Sequence, residues 1–147
     1  MAIFIDTNIL VYAAVKEFTE HKAAQQFLEE LDSTPCVAWS VVYEFLRVTT
    51  HPRILPYPLK SKNSMLFISS LLQIPGVSIL TETNRHLDIL EKVISEIVHP
   101  SGSLFHDIHI AVLMQENGIK DIATADTDFL QFSFLNVLDP VHKKPTA

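Results

Sequence analysis

The chain has 147 residues, 48% of them hydrophobic and 19% charged, with a formal net charge of -6. This balance excludes an intrinsically disordered chain, which would be poor in apolar residues. The negative net charge also disfavours binding of nucleic acid by charge alone, because proteins that bind in that way are usually basic. Action on a polyanion would therefore need bound metal ions or a local basic rim.

Short apolar strands alternate with helical patterns along the chain. Strands are predicted at 3–5, 36–38, 77–80, 121–124 and 136–138. Helices are predicted at 9–15, 20–31, 40–50, 59–72, 84–98 and 104–117, with Ser40 as the N-cap of the third and Gly118 ending the last. The alternation predicts an α/β fold in which helices cover both faces of a parallel sheet. We expect a single domain over residues 1–147, with a polar tail from about residue 140.

Three sequence features bear on the location of the protein. Cys36 is the only cysteine, so no internal disulfide can form and a reducing compartment is favoured. The N-terminus has no cationic segment ahead of its apolar run, which makes it a poor signal peptide. The longest uninterrupted apolar run, Ile9 to Val15, is far shorter than the roughly 20 residues that span a bilayer. We therefore expect a cytoplasmic protein with no membrane partner.

Two acidic residues come directly after predicted strands. Asp6 follows the first strand, and Asp126 follows the strand that ends at Thr124. Ligands of an open parallel sheet bind just beyond the carboxyl ends of its strands. Each acid alone could instead be a helix N-cap, as could Thr7 or Asn8 at the first helix. Capping does not require both acids to lie at one edge, so we expect a functional site there.

Two more carboxylates lie in predicted helices among apolar residues. Asp107 falls in the first turn of a helix that is apolar nearly all round, where a charge is costly unless it is paired or bound to metal. Glu44 also has apolar neighbours, although its periodicity equally fits a solvated position on an amphipathic helix. Carboxylates are the ligands that Mg²⁺ and Mn²⁺ prefer, and a metal ion would relieve the repulsion between converging acids.

Four short motifs occur in a fixed order along the chain. They are Ile5-Asp6-Thr7-Asn8, the segment 44–53 with Glu44, Arg47 and Arg53, the segment His106-Asp107-Ile108-His109-Ile110-Ala111, and Thr124-Ala125-Asp126-Thr127-Asp128-Phe129. Together these motifs resemble the PIN domain, and more closely the small VapC-type ribonuclease toxins of toxin–antitoxin systems. No single motif is specific. The order, the spacings and the short chain carry the resemblance, which runs from about Ile3 to Leu138.

The resemblance implies a three-layer α/β/α sandwich around a central parallel sheet of about five strands. It also implies Mg²⁺- or Mn²⁺-dependent endonucleolytic hydrolysis of phosphodiester bonds in RNA. The matched positions that would be both catalytic and metal-binding are Asp6, Glu44, Asp107 and Asp126. Asp128 matches a frequent additional metal-binding acid. Asn8 and Thr124 match positions that support the site, Thr124 by hydrogen bonding.

The resemblance also implies partners. A toxin of this type would have a cognate antitoxin and would commonly form a homodimer, with RNA as its substrate. Arg47 lies three residues after Glu44 on the same helix face, so it could contact a substrate phosphate or pair with a site acid. Arg53, in the proline-rich connection that follows, is a second candidate for a phosphate contact.

Two alternatives stay open. The chain could be a catalytically inactive PIN-like module that binds RNA or serves as a scaffold, although all four acids are present. It could also be a phosphatase of the haloacid dehalogenase type, whose nucleophile likewise follows a first strand. That family needs a second Asp two residues later, where this chain has Asn8, so the phosphatase reading is disfavoured.

Overall fold

The computed structural model describes residues 1–142 and contains a five-stranded parallel sheet between helices. The strands are β1 (Ala2–Ile5), β2 (Thr34–Ala38), β3 (Ser78–Leu80), β4 (Asp121–Ala123) and β5 (Asn136–Leu138). The helices are α1 (Thr7–Ala14), α2 (His21–Glu29), α3 (Trp39–Thr50), α4 (Ser61–Leu72), α5 (His86–Ser95) and α6 (Leu104–Glu116), and a short 3₁₀ helix spans Thr127–Gln131.

The strands lie in the order β3-β2-β1-β4-β5, and every neighbouring pair is parallel. The chain runs outward from β1 to β2 and β3, and then returns past β1 to β4 and β5. Right-handed crossovers therefore place α1 to α4 on one face and α5 and α6 on the other. Packing agrees, because α1 contacts α2 and α3, α3 contacts α4, and α5 contacts α6. The predicted α/β sandwich with about five parallel strands is confirmed.

Burial explains the continuous apolar runs in the sequence. β1 is the central strand, and Phe4 and Ile5 are completely buried because helices cover both faces of the sheet. Helix α6 is buried almost all round, as its apolar sequence predicts, with Ile110 and Val112 fully enclosed. These two elements give the residues next to them a rigid support.

Two residues were predicted to mark helix ends, one at the start of α3 and one at the end of α6. Ser40 is not the N-cap of α3: the helix starts at Trp39 directly after β2, so the N-cap is Ala38 and Ser40 lies in the first turn. Gly118 does end α6. Its φ of 73° is in the left-handed region, which lets the Ile119 N–H donate to the Met114 carbonyl at 2.9 Å.

Within residues 1–142, none of the helices combines the length and the apolar character that crossing a membrane requires. The predicted polar tail from about residue 140 falls mostly on residues 143–147, which lie outside the described part of the chain.

Candidate active site

The candidate site lies where the direction of the chain across the sheet reverses. β1 and β4 are neighbours, but β1 leads toward β2 on one side while β4 leads toward β5 on the other. Where the connections from two adjacent strands lead to opposite sides, a crevice opens beyond the carboxyl ends of those strands. The Asp6 N–H donates to the Ala123 carbonyl at 3.0 Å, so the residues that follow both strands emerge side by side.

Asp6 is the N-cap of α1 and is only 6% exposed. Its carboxylate accepts hydrogen bonds from the Thr7 N–H at 2.8 Å, the Thr124 hydroxyl at 2.7 Å and the Asn8 amide at 3.2 Å. Burial raises the pKa of Asp6, and the bonds from Thr124 and Thr7 oppose that rise. Of the three predicted candidates for the cap, the structure selects Asp6, so this residue both caps a helix and belongs to the site.

Asn8 and Thr124 connect Asp6 to the segment after β4. The Thr124 hydroxyl, which donates to Asp6, accepts a hydrogen bond from the Asp126 N–H at 3.0 Å. The Asn8 carbonyl oxygen accepts from the Ala125 N–H at 3.0 Å. The two residues proposed as supports therefore hold the backbone of both acidic segments in one arrangement.

Three carboxylates converge beside this network. Asp107, Asp126 and Asp128 each offer an oxygen, and these oxygens lie within 4.8 Å of one another. Asp126 caps the 3₁₀ helix by accepting from the Asp128 N–H at 2.9 Å. Asp126 therefore caps a helix and belongs to the converging group, while Asp6 caps α1 beside that group.

Asp107 is buried among these acids. It lies in the first turn of α6 and is 8% exposed. Burial, followed by repulsion from Asp126, Asp6 and Asp128, raises its pKa to about 7. An all-oxygen donor set with unrelieved negative charge fits a hard divalent cation such as Mg²⁺ or Mn²⁺.

Glu44 faces the same pocket from α3, but both of its oxygens contact Arg47. The Arg47 Nη2 donates to Oε1 at 2.8 Å and Nε donates to Oε2 at 3.1 Å. These hydrogen bonds lower the pKa of Glu44. A cation that recruits Glu44 must therefore share the carboxylate with Arg47 or displace the guanidinium.

Four of these acids line a pocket with a volume of about 320 Å³, and Asp128 lies outside its lining. Its lining contains four acids, three further polar residues and four apolar or aromatic residues: Asp6, Glu44, Asp107 and Asp126; Thr7, Asn8 and His106; Val11, Tyr12, Phe18 and Val48. The structure therefore brings the predicted quartet to one cavity. Arg53 is not among the lining residues; it is exposed in the connection after α3, where its N–H donates to the His51 ring.

The apolar part of this lining was not predicted from the sequence. A helical spacing of four residues links Val11 to Thr7 and Tyr12 to Asn8 on α1, and it links Val48 to Glu44 on α3. That spacing was a usable signal. Phe18 lies outside the regular elements, between α1 and α2, and no periodicity pointed to it.

Comparison with known proteins identifies the family. The family model described as PIN domain matches residues 3–135, a span that contains all of the candidate acids. The chain belongs to the PIN domain family. Ribonuclease VapC48 of Mycobacterium tuberculosis is 30% identical to this PIN domain over 92% of the chain and 94% of the relative. Ribonuclease VapC33 of the same species is 28% identical over 94% and 97%.

Solved structures share the PIN fold of this chain. Mycobacterium tuberculosis VapC20, described as a toxin that cleaves the sarcin-ricin loop, has a TM-score of 0.64 at 15% identity and covers 87% of this chain and 92% of its own. VapBC2 from Rickettsia felis, bound to a DNA fragment from its promoter, has a TM-score of 0.67 at 16% identity, with coverage of 94% and 98%. Likeness at these identities concerns the fold.

Proposed function

We propose that this protein is a metal-dependent endoribonuclease and the toxin of a toxin–antitoxin pair. The observation that carries the proposal is the convergence of Asp107, Asp126 and Asp128 next to the buried Asp6 at the crevice between β1 and β4. The relatives named VapC ribonucleases, which match nearly the whole chain, support this activity.

The residues of the proposed site would have separate roles in hydrolysis. Asp6, Glu44, Asp107, Asp126 and Asp128 would hold Mg²⁺ or Mn²⁺. When bound, the metal supplies positive charge for the phosphate oxygens and lowers the pKa of water that attacks the phosphorus. Thr124 and the Thr7 N–H orient the Asp6 carboxylate through their hydrogen bonds. Asn8 fixes the Asp126 segment through the Ala125 N–H.

Two arginines are proposed to contact substrate phosphates. Arg47 is exposed beside the pocket and is already oriented by Glu44. If a metal ion recruits Glu44, the Arg47 guanidinium becomes available to a phosphate. Arg53 is exposed in the connection that follows α3 and would contact the RNA backbone outside the pocket.

The proposed partners are an antitoxin protein and a second copy of the chain. The antitoxin is supported by the structural likeness to VapBC2 of Rickettsia felis. The homodimer rests on the family resemblance. A cytoplasmic location is supported by Cys36, the only cysteine in the sequence, which is buried and free.

The test is cleavage of mixed cellular RNA by the purified protein with Mg²⁺ or Mn²⁺. An EDTA control and an Asp107→Asn preparation purified in the same way accompany it. We expect discrete products that need the metal and are absent with the variant. Equal cleavage by parent and variant would indicate a contaminating nuclease. No cleavage by either would favour an inactive module that binds RNA or serves as a scaffold.

A further inference from the structure

The lining of the site pocket changes from polar to apolar along α1 and along α3, two of the three helices that line it. On α1, the polar Thr7 and Asn8 are followed four residues later by Val11 and Tyr12; on α3, Glu44 is followed by Val48. Four residues of helix correspond to about 6 Å. One end of the pocket is therefore acidic and the other end, one helical turn away, is apolar.

The apolar end has an aromatic wall. Phe18 is half-buried, and its ring meets that of Tyr12 edge to face, with a centroid separation of 5.2 Å. Burial, with smaller effects from Glu20 and Asp139, raises the pKa of Tyr12, so its hydroxyl keeps its proton. The wall thus offers a flat hydrophobic ring beside a neutral hydroxyl group.

An unpaired hydroxyl lies on the same pocket. Thr7 lines the cavity and is only 8% exposed, yet its Oγ1 has no hydrogen-bond partner among the described residues. Buried polar atoms in native proteins nearly always have a partner. The Thr7 Oγ1 is enclosed at the polar end of the lining, and a turn of the side chain toward the cavity would pair it with a ligand that carries an oxygen acceptor.

We propose that the apolar end of this pocket binds the base of the nucleotide next to the scissile phosphate. Phe18 is the stacking surface, and the Thr7 hydroxyl donates to the sugar–phosphate. A nucleotide has the same division as the pocket, with an anionic phosphate at one end and a flat base at the other. The volume of about 320 Å³ is at the small end of ligand pockets, which span about 300–1,000 Å³, and suits one nucleotide.

This inference rests on the proposed function, and it assigns that function a means of choosing where the RNA is cut. Sequence-specific proteins recognise single-stranded RNA by splaying out a base and stacking it on an aromatic side chain. Only a base that fits beside Phe18, Tyr12 and Val48 would place its phosphate at the acids.

The test combines protein variants with removal of the base. The substrate is a short single-stranded RNA containing one site that the protein cuts. It is compared with RNAs that carry an abasic residue on either side of the scissile bond. For the parent protein, we expect one abasic substitution to lower kcat/KM by roughly 5- to 150-fold, the range for loss of a stacked base. For the Phe18→Ala protein, the same abasic residue in the RNA should change kcat/KM little, because the stacking surface is already gone.

Phe27→Ala is the matched control. Phe27 is also half-buried, but it lines a separate cleft with Ile3 and Asp121, at the end of the sheet where β1 and β4 begin. This variant should keep the parent's sensitivity to the missing base. Phe18→Leu, which keeps most of the apolar volume, is a second variant in case Phe18→Ala unfolds, and thermal unfolding confirms that each protein is folded.

The outcomes separate this inference from the proposed function. The base site is overturned if the parent cleaves RNA and no abasic residue lowers its kcat/KM. It is also overturned if both Phe18 variants lose as much kcat/KM as the parent does when the base is missing. The apolar end would then be left to a protein partner. If the parent cleaves no RNA, the proposed function fails. Fluorescence anisotropy with a labelled mixed-sequence RNA and its fully abasic counterpart then tests the pocket alone, and equal Kd values overturn it.

Discussion

Asp6 and Thr124 are 118 positions apart in the chain, and the Thr124 hydroxyl donates a 2.7 Å hydrogen bond to the Asp6 carboxylate. The same hydroxyl accepts from the Asp126 N–H at 3.0 Å. One side chain therefore contacts the Asp6 carboxylate and the Asp126 backbone, which follow different strands. It can do so because β1 and β4 are adjacent and parallel, with Ile5 paired to Ala123.

Thr124→Val should remove both of these hydrogen bonds while keeping the shape of the side chain. We expect metal affinity or activity to fall by about 10- to 100-fold, as is typical when a group that orients metal ligands is lost. The measurement is the Mg²⁺ dependence of cleavage. Thr124→Ser keeps the hydroxyl and should restore the dependence of the parent; an unchanged Mg²⁺ curve for Thr124→Val would contradict the role.

Asp6→Asn and Asp107→Asn should each reduce cleavage by more than about 100-fold, because ligand loss costs more than loss of a supporting group. Both variants should fold, because each replaces a buried carboxyl whose pKa is raised with a neutral amide of similar shape. Asp88→Asn is the control, because Asp88 is an exposed acid in the first turn of α5. Cleavage at the parent rate by a folded Asp107→Asn protein would refute the assignment of this site.

The raised pKa of Asp107 predicts how the stability of the metal-free protein depends on pH. The folded state holds a proton up to about pH 7, whereas the unfolded chain releases it near the ordinary value of 3.8. Stability is therefore greatest below about pH 4 for this group and falls as pH rises to about 7. Thermal unfolding without metal should show a lower midpoint at about pH 8 than at about pH 5.5.

Two further measurements test the same titration. Asp107→Asn should reduce the pH dependence of the midpoint, because the titrating group is gone. Mg²⁺ should raise the midpoint more at the higher pH, because the cation needs the deprotonated carboxylate. If parent and variant show the same pH dependence, the shift assigned to Asp107 is wrong.

Arg47→Ala tests whether the guanidinium contacts RNA. A phosphate contact predicts weaker RNA binding and a slope of log K against log salt that is smaller by about 0.7. The fold should be little affected, because Arg47 is exposed. Arg85→Ala, at the exposed start of α5, should change neither quantity. Unchanged RNA binding with an altered Mg²⁺ affinity would instead mean that Arg47 acts only on Glu44.

Much of the architecture was predictable from local patterns. Buried parallel strands need continuous apolar sequence, and α6 needs apolar residues on nearly all sides, so both are visible without a structure. Exact boundaries were less visible. Ser40 has the chemistry of an N-cap, but β2 runs directly into α3 and moves the helix start to Trp39.

The sequence by itself determined the α/β alternation, the family resemblance and the identities of the candidate acids, because periodicity and motif order are local properties of the chain. Only the tertiary structure decided which distant groups meet: Thr124 with Asp6, and Phe18 with the apolar end of the pocket. It also left Arg53 outside that pocket. The first contact depends on the order of the strands, and the burial that raises the pKa of Asp107 likewise arises only in the folded chain, so neither can be read from spacing along the sequence.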